Sequence, residues 1–254
     1  MLRKRNHLIV NRCCSFLRSS IGKKTIVAIT GLIMVGFVIA HLIGNLQIFL
    51  GPGDATHPAQ INSYAKLLKD LGEFIWLARI TLLLAVAAHI ITTIQLTLEN
   101  RAAKGDGYQH KASVQAKRST KTMMWSGSYI LCFIIFHLAH YTLFLVHPEF
   151  RQLHDAHGLH DVYAMLLIGF SNPFVSAFYI LGMLLLCSHL SHGIGSLTQT
   201  LGIQTTKLRC CFQCGGRLLA ILLAIGYLSI PIAILAGYGS EYRKAALAIL
   251  ATHQ

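Results

Sequence analysis

Five long apolar runs dominate this chain of 254 residues. They cover residues 26–50, 74–98, 123–146, 173–197 and 218–236. A helix needs about 20 apolar residues to cross the hydrocarbon core of a bilayer, and each run meets or approaches that length. Charged residues make up 12% of the chain, roughly half of their share in soluble domains. We therefore expect an all-α membrane protein in which five transmembrane helices form a bundle.

The positions of lysine and arginine predict how the spans are oriented. Sixteen of them lie before the first span or in the loops after the second and fourth spans, and five lie on the opposite side. Basic residues accumulate on the cytoplasmic side of membrane chains. The expected arrangement is a multi-pass protein of the cell's inner membrane, with its N-terminus cytoplasmic and its C-terminus outside. Its regions are a basic segment 1–24, a five-helix domain 25–240 and an outer tail 241–254.

Several functional classes are disfavoured by what the sequence lacks. The net charge of +13 follows from the orientation bias, and no basic patch is interleaved with stacking aromatic residues, so no nucleic-acid partner is expected. No G-x-G-x-x-G motif or P-loop is present. The seven cysteines are odd in number and lack the spacing of a zinc site, which favours reduced thiols. Any chemistry must therefore take place within the bundle or on a partner chain.

Four of the five spans contain a histidine deep within the apolar run: His41, His89, His137 and His189. Ionisable residues inside a membrane span are costly and mark functional sites. At about 1.5 Å of rise per residue, His41 and His137 lie roughly 25 Å from the cytoplasmic ends of their helices, and His89 and His189 roughly 15 Å. We name these two depths the outer level (His41, His137) and the inner level (His89, His189).

Two histidines from different helices at one depth are the ligand set of a bis-histidine haem. Each imidazole gives a lone pair to the iron and its N–H to a nearby acceptor. The sequence therefore predicts two b haems, with the two levels about 10 Å apart along the membrane normal. Interhelical hydrogen bonds and a non-haem proton relay or transporter are the alternatives. A transporter is disfavoured because the spans do not show a matched pair of interruptions.

A short repeat supports this pairing of helices. Nine residues separate each of the dipeptides Thr30-Gly31 and Ser126-Gly127 from the outer-level histidine of the same span. That separation places each glycine about 15 Å below its histidine, near the inner level. Small residues allow close approach in membrane bundles. We hypothesise that Gly31 and Gly127 clear space for the inner haem.

Four segments of the chain carry a likeness to a known family. Two of them are TGLIMVGFVIAHLIGNLQIFLGP at 30–52 and WSGSYILCFIIFHLAHYTLF at 125–144. The other two are DVYAMLLIGFSNPF at 161–174 and LSHGIGSLTQTLG at 190–202. From about residue 23 to residue 236, the chain resembles the single-chain, five-helix, dihaem cytochrome b anchor of succinate dehydrogenase and fumarate reductase.

The resemblance implies the haem ligands, the partner subunits and the path of the electrons. In that family, helices one and three bind the outer haem and helices two and four the inner haem, which pairs His41 with His137 and His89 with His189. A separate flavoprotein oxidises succinate, and an iron–sulfur subunit passes the electrons through the two haem b groups of the anchor to quinone, here with menaquinone favoured. Membrane lipid surrounds the anchor. Succinate oxidation by this chain alone is not expected.

Five further positions receive expectations from the same resemblance. His140 and His192 stand beside the ligands, either to bind haem propionates or quinone or as polar neighbours without that role. Arg79 is expected at the outer propionates, with snorkelling to the membrane interface as the alternative. Glu73 is the candidate quinone residue, with stabilisation of the helix start as the alternative. Cys187 replaces a glutamate that certain fumarate reductases use for a proton path, which puts that route in doubt.

Two matters stay open on the sequence alone. The dihaem anchor of another respiratory complex, such as a hydrogenase or formate dehydrogenase, is the alternative to the leading hypothesis, and the direction of turnover is undetermined. The loop histidines His154, His157 and His160 have a spacing of three. Either they share one helical face and bind a divalent metal, or they lie in a solvated loop, which is the favoured alternative.

Overall fold

The computed structural model describes residues 15–16, 18–103, 114–200, 202 and 205–252. The backbone of these residues forms eight helices, two short 3₁₀ turns and two isolated bridge pairs, without a β-strand. In chain order the helices are α1 Ser20–Leu46, α2 Gln60–Asp70, α3 Glu73–Ala102, α4 Val114–Tyr141, α5 Val162–Ser171, α6 Pro173–Thr200, α7 Thr206–Leu235 and α8 Ser240–Thr252.

Five of the helices are long and apolar enough to cross a membrane, which confirms the predicted number of spans. Their spanning parts are Ser20–Leu50, Glu73–Ala102, Thr122–Tyr141, Pro173–Leu197 and Cys210–Leu235. A helix is the form expected in lipid because it satisfies the backbone N–H and C=O groups within one segment. Residues at the helix starts assist: Ser19 Oγ accepts a hydrogen bond from the Gly22 amide at 3.1 Å, and Pro173 occupies the first position of α6.

The ends of two spans differ from the prediction. The third span ends at Tyr141 rather than at residue 146. The amides of Leu143 and Leu145 donate to the carbonyls of Leu138 and Ala139, both at 2.8 Å, and these backward bonds close the last turn. The fifth span begins before its apolar run does, because its helix continues through a more polar first section that a hydropathy pattern does not detect.

Three short helices, α2, α5 and α8, pack together over one end of the bundle, which we name the capped end. None of the three was predicted. Helix α5 is apolar but has 10 residues, too few to cross a bilayer, and most of its side chains are buried. Helix α8 lies within the expected outer tail and buries Ala246 and Leu250 against α5. The capped end is therefore a small packed layer rather than a set of loose loops.

Asp161 connects the three short helices. Its side chain is 3% exposed and begins α5 by accepting a hydrogen bond from the Ala164 amide at 2.9 Å. The carboxylate also accepts from Asn62 Nδ2 of α2 at 3.2 Å and from the Tyr242 hydroxyl of α8 at 2.8 Å. Asn62 returns a contact to α5 by accepting from the Tyr163 amide at 3.0 Å. A buried carboxylate with all these donors is well satisfied.

The opposite end, which we name the basic end, joins the first two spans. There, Lys23 of α1 forms an ion pair with Glu99 of α3. Deeper in the bundle, Gly226 of α7 lies so close to α1 that an added Cβ would be 2.7 Å from Leu42. Nearby, the Tyr227 hydroxyl donates to the Val38 carbonyl of α1 at 2.7 Å. Small residues and hydroxyl bonds are the usual means of joining helices in lipid.

Helix α3 stands apart from the other spans. Among the described residues it packs mainly against α1, and 6% of its most apolar window is buried. The remaining surface is available to lipid or to a partner. All five described cysteines are free, as the odd count predicted, while Cys13 and Cys14 lie outside the described residues. Much of the basic segment 1–24 and of the basic loop at 104–113 also lies outside them, so the orientation stays a prediction.

Candidate histidine centre

The outer level brings together two of the predicted histidines from different helices. His41 of α1 and His137 of α4 have ring centroids 5.8 Å apart and ring planes at 86°. Phe37 stacks on His41 at 5.2 Å, and Phe133 stacks on His137 at 5.9 Å. Each imidazole thus has a phenylalanine stacked on one face, and the two imidazoles meet nearly at right angles.

The inner level has a different set of neighbours. His89 of α3 places Nδ1 at 3.1 Å from Oγ1 of Thr30 on α1. His189 of α6 places Nδ1 at 3.1 Å from Oγ of Ser126 on α4. Each inner-level histidine is therefore bonded to the helix that carries an outer-level histidine.

The two repeated glycines lie beneath the inner-level rings. A Cβ added at Gly31 would be 3.6 Å from Cε1 of His89, and one added at Gly127 would be 3.7 Å from Cε1 of His189. These are ordinary contact distances, so a methyl group fits and a larger side chain does not without moving the ring. The two glycines therefore make room for the imidazoles of the inner level. Their role in clearing space for the inner haem stays a hypothesis.

His140 is set apart from the four predicted ligands by its burial. It is 0% exposed, whereas the four predicted ligands are half-buried. Its Nδ1 lies 3.2 Å from the Tyr179 hydroxyl, and its Nε2 is buried without a hydrogen-bond partner among the described residues. Tyr141 stacks on it at 3.9 Å. No surface of this ring is open to a planar ligand, and its expected contact with propionate or quinone stays a prediction.

The other predicted site residues lie at the surface of the bundle. His192 is exposed, with its Nδ1 at 2.9 Å from the Ser188 carbonyl of its own helix. Arg79 is exposed and stacks on Trp76, with 5.0 Å between the guanidinium carbon and the ring centroid. Glu73 is exposed at the first residue of α3. Their expected roles at haem or quinone stay predictions.

Cys187, at the position of the missing glutamate, is buried among apolar side chains. It packs with Leu42 of α1 and with Ala220 and Leu223 of α7. This environment offers no carboxylate and few polar partners. The doubt about a proton path by this route is consistent with that setting.

The loop histidines do not share a helical face. His154 and His160 form an antiparallel bridge pair, and His157 is exposed with its Nε2 at 3.0 Å from the Asp54 carbonyl. Within the described part of the chain, no group of three or more His, Cys, Asp or Glu side chains is arranged to hold a metal ion. A shared helical face is therefore not formed. His154 and His157 are exposed and His160 is half-buried, and metal binding by these histidines stays a prediction.

Sequence reasoning missed three polar partners of the histidines: Thr30, Ser126 and Tyr179. The first two were visible as part of a repeat, but the repeat does not say which ring they face. Tyr179 lies 3.4 Å from Nδ1 of His137 and 3.2 Å from Nδ1 of His140. Nothing in the sequence around it signals this contact, which depends on how α4 and α6 pack.

Comparisons of the chain with family models, curated proteins and solved structures found no match. The donor set itself can be tested against a haem. At the inner level a hydroxyl takes up Nδ1 of each ring, which leaves Nε2 to bind iron, and all four rings are partly open. Neutral imidazoles with one nitrogen hydrogen-bonded and one available are the usual axial ligands of a b haem. The residues present fit that group.

Proposed function

We propose that this chain is the dihaem cytochrome b membrane subunit of a succinate:quinone oxidoreductase. In this role it accepts electrons from an iron–sulfur partner that is itself reduced by a flavoprotein, and delivers them to quinone. The enzyme is either a succinate dehydrogenase or a fumarate reductase, in the inner membrane. The haem centre is supported by the geometry, and the choice of complex rests on the resemblance of the four sequence segments.

One observation carries the haem centre: four histidines from four spans lie at two depths, in two pairs. His41 and His137 face each other across 5.8 Å between ring centroids. His89 and His189 are the pair expected at the other depth, and each has its Nδ1 bonded to a hydroxyl of a neighbouring span. Solitary membrane histidines are explained by a hydrogen bond to one neighbour, but two matched pairs are not.

The chain's own residues bind and orient in this proposal. His41 with His137 and His89 with His189 would each hold one haem b, which supplies one-electron transfer when bound. The stacked Phe37 and Phe133 restrict rotation of the outer-level rings. Thr30 and Ser126 restrict the inner-level rings.

The test is a dithionite-reduced minus oxidised spectrum of the purified chain, with haem extracted and counted per polypeptide. We expect two b haems in the parent protein and one after alanine replaces any one of His41, His89, His137 or His189. His157→Gln is the control, because this histidine is exposed in a loop outside the spans, with its Nε2 at 3.0 Å from the Asp54 carbonyl. A folded preparation without haem would overturn the proposal.

A second experiment addresses the choice of complex. Solubilised membranes are fractionated by affinity purification of this chain, and the eluate is assayed for covalently or tightly bound flavin and for succinate–quinone and fumarate–quinol activity. We expect both activities in the parent complex and their loss in the haem-ligand variants. Recovery of hydrogenase or formate dehydrogenase activity instead would assign the chain to another complex.

A non-haem proton relay is the second candidate, and one observation favours it. Near the capped end, Glu149 binds His147 at 2.7 Å, and the His147 ring lies 5.3 Å from that of His140. Tyr179 then connects His140 to His137. This chain of titratable groups enters the bundle from one end. Absence of haem together with proton flux in vesicles that is lost in His140→Gln would favour it.

A further inference from the structure

We propose that Thr30 and Ser126 are positioning residues for the inner-level histidines. Each hydroxyl holds the neighbouring imidazole as the Nδ1–H tautomer and thereby directs the Nε2 lone pair toward a metal. The inference deepens the proposed function, on which its haem readouts rest. It concerns two side chains that were part of the sequence repeat but received no role from it.

The direction of the hydrogen bond at Thr30 follows from the number of protons on a hydroxyl. Oγ1 lies 2.7 Å from the Ile26 carbonyl and 3.2 Å from the Val27 carbonyl of its own helix. A carbonyl only accepts, so the single hydroxyl proton points to the backbone. The oxygen is left as an acceptor for Nδ1 of His89 at 3.1 Å. His89 therefore carries its proton on Nδ1.

Ser126 repeats the arrangement in the other half of the bundle. Its Oγ lies 2.8 Å from the Thr122 carbonyl and 3.2 Å from the Met123 carbonyl. It accepts from Nδ1 of His189 at 3.1 Å. Two independent helix pairs thus place a hydroxyl, already committed as a donor to its own backbone, against Nδ1 of a histidine on a neighbouring span.

Burial protects these hydrogen bonds from water, and the glycine after each hydroxyl lets the imidazole approach it. Thr30 is 8% exposed and Ser126 is 7% exposed, so water competes little for either bond. The glycine after each hydroxyl lies under the same ring, where an added Cβ would be 3.6 Å from Cε1 of His89 or 3.7 Å from Cε1 of His189. The hydroxyl and the glycine of each dipeptide together position one imidazole. A bulky residue in place of the glycine would displace the ring from the hydroxyl.

The outer-level histidines do not have a corresponding short hydroxyl bond among the described residues. Among the described residues, no hydrogen bond reaches the ring nitrogens of His41, and His137 has only the longer 3.4 Å contact to Tyr179. The expected effects of removing the hydroxyls are therefore confined to the inner level. The outer level serves as an internal control within every sample.

The experiment replaces the hydroxyls one at a time in the full-length chain, as Thr30→Val and Ser126→Ala, with Thr30→Ser and Ser126→Thr as rescues. Thr97→Val is the matched control, because the Thr97 hydroxyl lies on the same helix as His89 and donates to the Thr93 carbonyl at 2.8 Å. Two readouts are taken. One is the affinity of each level for haem, with the signals assigned by His89→Ala and His41→Ala. The other is the ¹⁵N NMR signature of the histidine tautomers in the haem-free protein.

Removal of a ligand's hydrogen-bond partner typically weakens metal binding about 10- to 100-fold. We expect a loss of this size at the inner level in Thr30→Val and Ser126→Ala, no change at the outer level, and recovery in both rescues. In the haem-free chain we expect His89 and His189 as Nδ1–H tautomers, with a mixture of tautomers at the affected ring in each variant.

The proposal is overturned if both variants bind haem at the inner level as the parent does, or if His89 and His189 carry their protons on Nε2 in the parent. A parent protein without haem would refute the proposed function alone, because the NMR readout does not require haem. In that case, a tautomer change in Thr30→Val but not in Thr97→Val would still support the positioning role.

Discussion

At the scale of single residues, the contacts around each imidazole distinguish the two levels. Depth along the helix could be counted from the sequence, so the grouping of His41 with His137 and of His89 with His189 could be predicted. The structure brings the rings of the first pair together. The rotation of each helix about its axis could not be counted. For that reason Tyr179 as a neighbour of His137 was not foreseen.

Bulk at the glycines beneath the inner-level rings should release haem from that level first. In Gly31→Leu or Gly127→Leu, the new side chain would occupy the position now filled by the ring of His89 or His189. We expect haem per polypeptide to fall from two to one, with the outer-level signal retained. Gly36→Leu is the control, since nothing lies within 4 Å of its added Cβ. Retention of both haems in the first two variants would contradict the expectation.

At the scale of elements, the spans and the short helices differ in how far they follow from the sequence. A membrane span can be predicted from the length and hydropathy of a segment alone, because the thickness and the apolar interior of the bilayer determine both. The helices α2, α5 and α8 become stable through one another, by contacts such as that of Asn62 with Asp161. Their existence depends on residues distant in the chain, and a local pattern does not encode it.

Asp161→Ala should loosen the capped end without disturbing the spans. The change removes the cap of α5 and leaves the Tyr242 hydroxyl without its acceptor, while Asn62 loses one of two acceptors and keeps its 2.9 Å bond to Asp155. From a lost cap and one unsatisfied donor we expect a destabilisation of about 2 kcal/mol. Amide exchange of α5 and α8 reports it. Asp161→Asn keeps one acceptor oxygen and should cost less; equal exchange in all three proteins would refute the role of this side chain.

The same layer should weaken in mild acid. Burial lowers the pKa of His160, and the charges of Lys69 and His154 lower it further, against smaller opposing effects of the Leu153 carbonyl and Asp161. The neutral ring therefore stabilises the folded layer fully above the ordinary pKa of about 6.5, and this contribution is lost as the pH falls below that value. Amide protection factors across residues 153–162 should decrease between pH 7.5 and 5.5. The decrease should be smallest in His160→Gln and slightly reduced in His154→Gln, because that change removes one of the charges that lower the pKa of His160.

At the scale of the whole molecule, the two ends of the bundle have different chemistry. One end has the Lys23–Glu99 pair and the exposed Cys210. The other is closed by the capped end. The lysine and arginine count predicts that the basic end faces the cytoplasm, where an iron–sulfur partner would dock.

Labelling with a membrane-impermeant maleimide tests this orientation. One protein retains Cys210 as its single cysteine, and a second carries Lys66→Cys in a cysteine-free background. Lys66 is exposed at the capped end, where its surface ion pair with Asp70 contributes little. We expect Lys66→Cys to react in intact cells and Cys210 to react only in inverted vesicles. The opposite pattern would reverse the predicted topology.

The hub at Asp161 also sets an order on how the protein is made. It joins Asn62, which follows the first span, to Tyr242, which follows the fifth. During synthesis the first two partners emerge long before the third. The short helices over the bundle can therefore pack fully only after the fifth span has been synthesised. Until then the capped end of the nascent bundle stays open.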